Sequence, residues 1–193
     1  ILYLLQMTLK INYLDKKKSN IKNNAIFVDS NTKISDFQGV LDNKINQKIA
    51  NLIIKNKKFN EYKIYSLNQD FEQQTVVIFL NKTNNELDFE KIGAKFFDYL
   101  KKNEINDILI NTPKLKSSKN IIFFNSFLHG IELKSYDFNL YKTKKSTKII
   151  NITVDKKAIV QKNKKLDAIL SGVNFTRDLV SEPGNILHPD EYA

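Results

Sequence analysis

The sequence predicts an α/β fold, a β-sheet with helices on both faces followed by one long connecting helix. Three observations predict it. Apolar residues recur at two-residue spacing in some stretches and at three-to-four-residue spacing in others, and the two kinds alternate along the chain. Thr75 to Leu80 is an unbroken β-branched and aromatic run, the mark of a strand covered on both faces. Gly172 to Ala193 then departs in chemistry from everything before it, holding the only arginine and two of the three prolines.

The elements follow in order. Residues 1–6 precede the only methionine, Met7, and read as an extension ahead of the natural start. Leu9, Ile11 and Tyr13 alternate through a first strand, and Lys16 to Asn24 is a polar turn. Ala25 to Val28 is a second strand. Leu41, Ile45, Ile49, Leu52 and Ile53 form the stripe of a helix that ends near Lys57. Tyr62 to Leu67 alternates as a strand, and Thr75 to Leu80 is expected at the centre of the sheet.

Phe89, Ile92, Phe96 and Leu100 mark a second helix, with Asn85 or Asp88 as its cap. Asp107 to Asn111 is a short buried strand ended by Thr112-Pro113. A third helix, capped by Ser117 or Ser118, presents Ile121, Phe124, Leu128 and Ile131. Tyr136, Phe138 and Leu140 alternate as a strand, Lys142 to Lys148 is a basic turn, and Ile150, Ile152 and Val154 give a last strand. The connecting helix runs from about Val160 to Val180, with Leu166, Ile169, Leu170, Val173 and Val180 as its apolar face.

At 193 residues, 41% hydrophobic and 27% charged, the chain is sized for one core plus a connection. It has no cysteine, so neither disulfides nor thiolate metal sites are available, in keeping with a reducing compartment. The opening Ile-Leu-Tyr-Leu-Leu is too short to span a membrane, and the protein is read as cytoplasmic. The net charge is +10, carried almost wholly by dispersed lysines. Clustered basic residues would suggest nucleic acid. Lysine beside abundant asparagine and isoleucine instead fits a biased nucleotide composition, so nucleic-acid binding is kept as the alternative reading.

Chemistry is sparse. The five glycines are isolated, which excludes the glycine-rich loops that cradle phosphates. His129 and His188 belong to no metal-ligand motif; His129 is read as a structural histidine and His188, before Pro189, as part of the junction. Asp178 and Glu182 are like charges at i, i+4 beside Arg177, either a salt-bridged anchor or a solvated helix end. A helix ending in Pro-Gly-Asn, with a new element starting beyond it, reads as a junction between domains.

That junction resembles the leucyl (cytosol) aminopeptidase family. The residues are Gly172, Arg177-Asp178-Leu179, Pro183-Gly184-Asn185 and Pro189, with Ser181 where the family commonly has asparagine. An upstream stretch, Gly130, Leu133, Tyr136, Phe138 and Tyr141-Lys142, is similar to the family's Gly-x-x-Leu-x-x-Tyr-x-Phe-x-x-Tyr-Lys segment, and Gly93-Ala94 falls where the family has a helix. Val76 to Lys82 lacks the family's glycines.

The resemblance implies a macro-domain-like mixed sheet over 7–156, an inter-domain linker helix over 157–182 and the start of a catalytic domain at 183–193. It also implies a parent hexamer that releases N-terminal residues from peptides with two divalent ions, Mn or Zn. Those ions and the catalytic groups would sit in the catalytic domain, so this chain is assigned no catalytic or metal residue and only structural junction residues: Arg177, Asp178, Leu179, Pro183, Asn185 and Pro189. Its implied partner is its own catalytic domain. The competing readings are a free-standing nucleic-acid-binding module and a purely structural assembly domain.

Overall fold

A computed structural model describes residues 8–14, 21–29, 32–33, 35, 41–55, 63–70, 73–80, 85–112, 118–143, 148–155 and 164–184. Their core is a six-stranded mixed sheet. The strands are β1 (Leu9–Leu14), β2 (Asn24–Val28), β3 (Lys63–Asp70), β4 (Gln73–Phe79), β5 (Asp107–Asn111) and β6 (Ile150–Asp155), in the order β1-β6-β5-β2-β4-β3. Five are parallel, and β3 pairs antiparallel with β4 at one edge. The helices are α1 (Asn43–Lys55), α2 (Glu86–Lys102), α3 (Ser118–Ser135) and α4 (Lys164–Ser181).

Strand alternation sorts the side chains onto two faces. Ala25, Val76, Ile78, Ile108, Ile110, Ile152 and Val154 face one way, into a core completed by α2 and α3. Ile26, Val28, Val77 and Phe79 face the other way, onto Ile45 and Ile49 of α1. Helices thus cover both faces, as the sequence predicts. The centre of the sheet is the β5-β2 pair rather than β4, which lies one strand from the edge. A β-branched run reports burial on both faces, and β4 has that burial from α1 on one side and α2 with α3 on the other.

Helix α2 begins with a capping box: Asn85 accepts from the Asp88 amide and Asp88 accepts from the Asn85 amide. Helix α3 crosses α2 at very short range. A methyl group placed on Gly93 would stand 2.0 Å from the Phe127 carbonyl oxygen, and one placed on Gly130 would stand 2.0 Å from the Glu90 carbonyl oxygen. Only glycine lets the two backbones come this close. Phe123 and Phe127 fill the space beside the crossing, with ring centroids 5.3 and 5.0 Å from Phe27 and, for Phe123, 4.2 Å from Phe89.

Two sequence expectations are corrected here. Residues 136–141 are not a strand: Tyr136 to Asn139 are irregular and Leu140-Tyr141 is a turn. Asp137 gathers the Asn139 amide and the Lys142 ammonium, each at 2.8 Å, and the Lys142 amide donates to the Asn139 carbonyl. These local bonds fold the segment back on itself, and Phe138 turns onto the Tyr141 ring. Ser118 is already helical rather than a cap, and Ser117 lies outside the described residues. So do 56–62, 144–147 and 156–163, which hold parts of the expected turns and the first turn of the connecting helix.

Candidate functional site at the connecting helix

Helix α3 ends with carbonyls that lack partners within the helix, and its last turn carries the negative end of the helix dipole. Three side chains meet that end. Ser135 donates to the Glu132 carbonyl at 2.8 Å, Thr8, just before β1, donates to the Ser135 carbonyl at 2.6 Å, and Arg177 of α4 donates to the Leu133 carbonyl at 2.6 Å. The arginine is therefore a cationic cap on a helix other than its own. Its guanidinium carbon also lies 5.4 Å from the centroid of the Tyr136 ring, within cation–π range.

The neighbouring carboxylates complete the latch. Tyr136 donates to Asp178 at 2.8 Å, and Tyr141 donates to Glu182. Burial first and the Asp178 hydrogen bond second push the Tyr136 phenol above its ordinary value, so it stays a donor throughout the neutral range. The Asp178/Glu182 pair is thus not resolved by a cation between them. Each carboxylate takes one neutral hydroxyl, and Arg177 is used on the α3 carbonyl instead. Below the latch, Lys142 holds the Asp137 carboxyl under its usual value, chiefly by their hydrogen bond.

Leu179 is half-buried on α4, and Pro183-Gly184 follow the helix as exposed chain. Asn185, His188 and Pro189 lie outside the described residues. On α4, Leu166, Leu170 and Val173 are half-buried, whereas Ile169 and Val180, expected on the apolar face, are exposed. The latch sets that rotation, since Arg177 and Asp178 must point at α3 and Tyr136. The residues that sequence reasoning missed, Thr8 and Tyr141 as latch partners, gave no periodic signal of their own.

His129 is 3% exposed, with Nε2 4.0 Å from Glu90 Oε1 and its buried Nδ1 without a hydrogen-bond partner. Burial lowers its pKa from the ordinary histidine value. The nearby carboxylate comes from α2, so sequence spacing along α3 could not show it. Among the described residues no three His, Asp or Glu side chains are gathered as a metal ion would require, and no helix is long and apolar enough to cross a membrane.

A mixed α/β domain with a helix latched to its side is the class these features define. No family model matches the sequence. It is 33% identical over 115 residues to a probable cytosol aminopeptidase of Rhizobium johnstonii, covering 55% of this chain and 23% of that one. A probable cytosol aminopeptidase of Rhizobium leguminosarum bv. trifolii is 32% identical over 132 residues, 63% of this chain and 26% of that one. In fold the chain is similar to a mutant of tomato leucine aminopeptidase, with TM-score 0.59, 15% identity and coverage of 92% of this chain and 39% of that one. The bottromycin maturation enzyme BotP in complex with Mn gives TM-score 0.55 at 11% identity, covering 89% and 34%.

The chain is similar in sequence to probable cytosol aminopeptidases and in fold to a leucine aminopeptidase, a match consistent with the N-terminal domain of that family. It spans about a quarter of the length of the curated relatives it matches.

Proposed function

We propose that this chain is the N-terminal, non-catalytic domain of a metal-dependent leucyl aminopeptidase. In this reading, 7–156 form the macro-like domain, 157–182 the inter-domain linker and 183–193 the start of the catalytic domain. One observation carries it. The two stretches that resemble the family, Gly130 to Lys142 and Gly172 to Pro189, are separate in the sequence, and their described parts meet in the latch of Arg177, Asp178, Tyr136 and Leu133, whose bonded partners lie 42 and 44 residues apart. Residues that look like separate motifs are one device for seating the linker on its domain.

The parent enzyme would remove N-terminal amino acids from peptides in the cytoplasm, as a homohexamer with two divalent ions, manganese or zinc. The described residues do not fit such a pair of ions, since their junction carboxylates are engaged by tyrosines and no metal-ligand cluster occurs among them. The metal and catalytic groups are assigned to the rest of the polypeptide. This domain's own work is to fix the direction in which the linker leaves.

The test is to express the complete coding sequence beside residues 1–193 and assay manganese- or zinc-dependent release of leucine from a leucyl amide. Activity is expected only in the longer protein. A longer protein inactive with either metal, or activity in residues 1–193 alone, overturns the proposal.

A further inference from the structure

Helix α4 spends one face on the latch and leaves the opposite face bare. Arg177 and Asp178, the two charged residues between Gly172 and Val180, both turn towards α3 and Tyr136. Helical spacing puts Phe175 on one rim of the outer face and Ile169 with Val180 on the other, and all three are exposed. Among the described residues, Val180 and Phe175 are the two most exposed large apolar side chains. Single exposed apolar residues are ordinary on a protein surface, but these are gathered on one helix. Between the rims lie Gly172 and Thr176, and a methyl group placed on Gly172 would meet nothing within 4 Å. A neighbour therefore has room to approach the backbone there.

The hydroxyls of the outer side are already served. Thr176 Oγ1 donates to the Gly172 carbonyl and Ser171 Oγ to the Asp167 carbonyl, each at 2.9 Å. Bonded back into their own helix, they can be buried without losing a donor's partner. An apolar neighbour fits this surface and a charged one does not.

The size of the face decides how that neighbour is held. The 18 residues of α4 make a helix about 27 Å long and about 10 Å across, so one face offers a strip of about 300 Å². A second copy of the chain, associating freely, needs roughly 800 Å² from each partner. A neighbour on the same backbone needs less, since contacts between domains of one chain can total as little as about 600 Å² and the tether keeps the neighbour close. Most of the length of the matched relatives lies outside this chain.

We propose that the outer face of α4 is the docking surface for the domain that follows it in the same polypeptide, with Phe175 as the anchor in an apolar hollow of that domain and Gly172 as the point of closest approach. This docking rests on the reading of the chain as an N-terminal domain, which places further polypeptide beyond α4. The helix is then gripped from two sides, by directional bonds to the end of α3 and by apolar contact outside, and the second domain takes its orientation from the latch.

The experiment is photo-crosslinking in the protein made from the complete coding sequence, with p-benzoylphenylalanine in place of Phe175 and, separately, of Val180. Both sites are exposed, so neither change disturbs the core. Crosslinks are mapped by peptide mass spectrometry, and the mass of the denatured protein tells whether they stay within one polypeptide. Crosslinks from both positions to residues beyond 193 of the same polypeptide are expected. Crosslinks only to a second polypeptide, only to residues 1–193, or none at all overturn the docking. Phe175→Ser in the same protein should speed proteolytic cleavage within 164–181 by about tenfold or more, and an unchanged rate removes Phe175 as the anchor. Leucine release from a leucyl amide by the same samples separates the two readings. Crosslinking without release overturns the enzyme and leaves the docking, whereas release without crosslinking overturns the docking.

Discussion

Helix α3 has two contacts of opposite kind. Against α2 it meets chiefly glycine to backbone and phenylalanine to phenylalanine, with the polar pairs Lys134–Asp98 at 3.1 Å and His129–Glu90 at 4.0 Å beside that packing. Against α4, the end of α3 and the segment that follows it meet through an arginine, two tyrosines and two carboxylates, and α4 contributes no fully buried residue. The first contact is a piece of core, in which shape decides the geometry. The second is a joint, in which a few directional bonds decide it. A joint of this kind fixes direction without making the helix inseparable from the domain, and Phe175 and Val180, 64% and 79% exposed, stay on its outer surface.

The contrast can be broken most sharply at the crossing. Gly93→Ala or Gly130→Ala drives a methyl group into a backbone carbonyl that cannot move aside, so a loss of about 3 kcal/mol or more is expected. Thermal unfolding should show it as a midpoint lowered by about 10 °C. A midpoint within a degree or two of the parent would mean that the helices are not in close contact there.

At the joint the expected losses are smaller and confined. Arg177→Ala removes a charge-assisted bond to the α3 carboxyl terminus, about 2 kcal/mol, which should appear as faster hydrogen exchange in α4 with little change in α2. Arg177→Lys should rescue only in part, because one ammonium cannot both cap the carbonyl and cover the Tyr136 ring face. Tyr136→Phe leaves Asp178 without its donor and should cost about 1 kcal/mol, read in the same exchange experiment. Asn85→Ala serves as a reference on the α2 side, since losing its capping box should cost about 1 kcal/mol in urea unfolding while leaving α4 exchange unchanged.

Much of the fold was legible because local chemistry and burial agree. Val76 and Ile78 alternate with Val77 and Phe79 onto two cores, and Asn85 with Asp88 announces the start of α2. The misreadings have physical causes. Tyr136, Phe138 and Leu140 alternate as strand residues do, yet Asp137 offers side-chain bonds that curl the segment. On α3 the expected stripe of Ile121, Phe124, Leu128 and Ile131 omits Phe123 and Phe127, because a helix buried on several sides has no single stripe. Ile169 and Val180 were counted as core by hydrophobicity, whereas the latch turns them outward.

The junction was legible only in part. Arg177 and Asp178 stood out as the sole arginine and its acidic neighbour, but their partners are a backbone carbonyl and a phenol some forty residues away. No spacing rule along the chain connects them. Resemblance flagged both stretches, and the fold supplies the reason they belong together.

The most direct test of the latch is hydrogen exchange on residues 1–193 and their Arg177→Ala variant at a single pH near 6, read on α2 and on α4. The joint predicts α4 protected in the parent, exposed in the variant, and α2 alike in both. An α4 that exchanges as a free helix in the parent, or an α2 that loses protection together with α4, would contradict it.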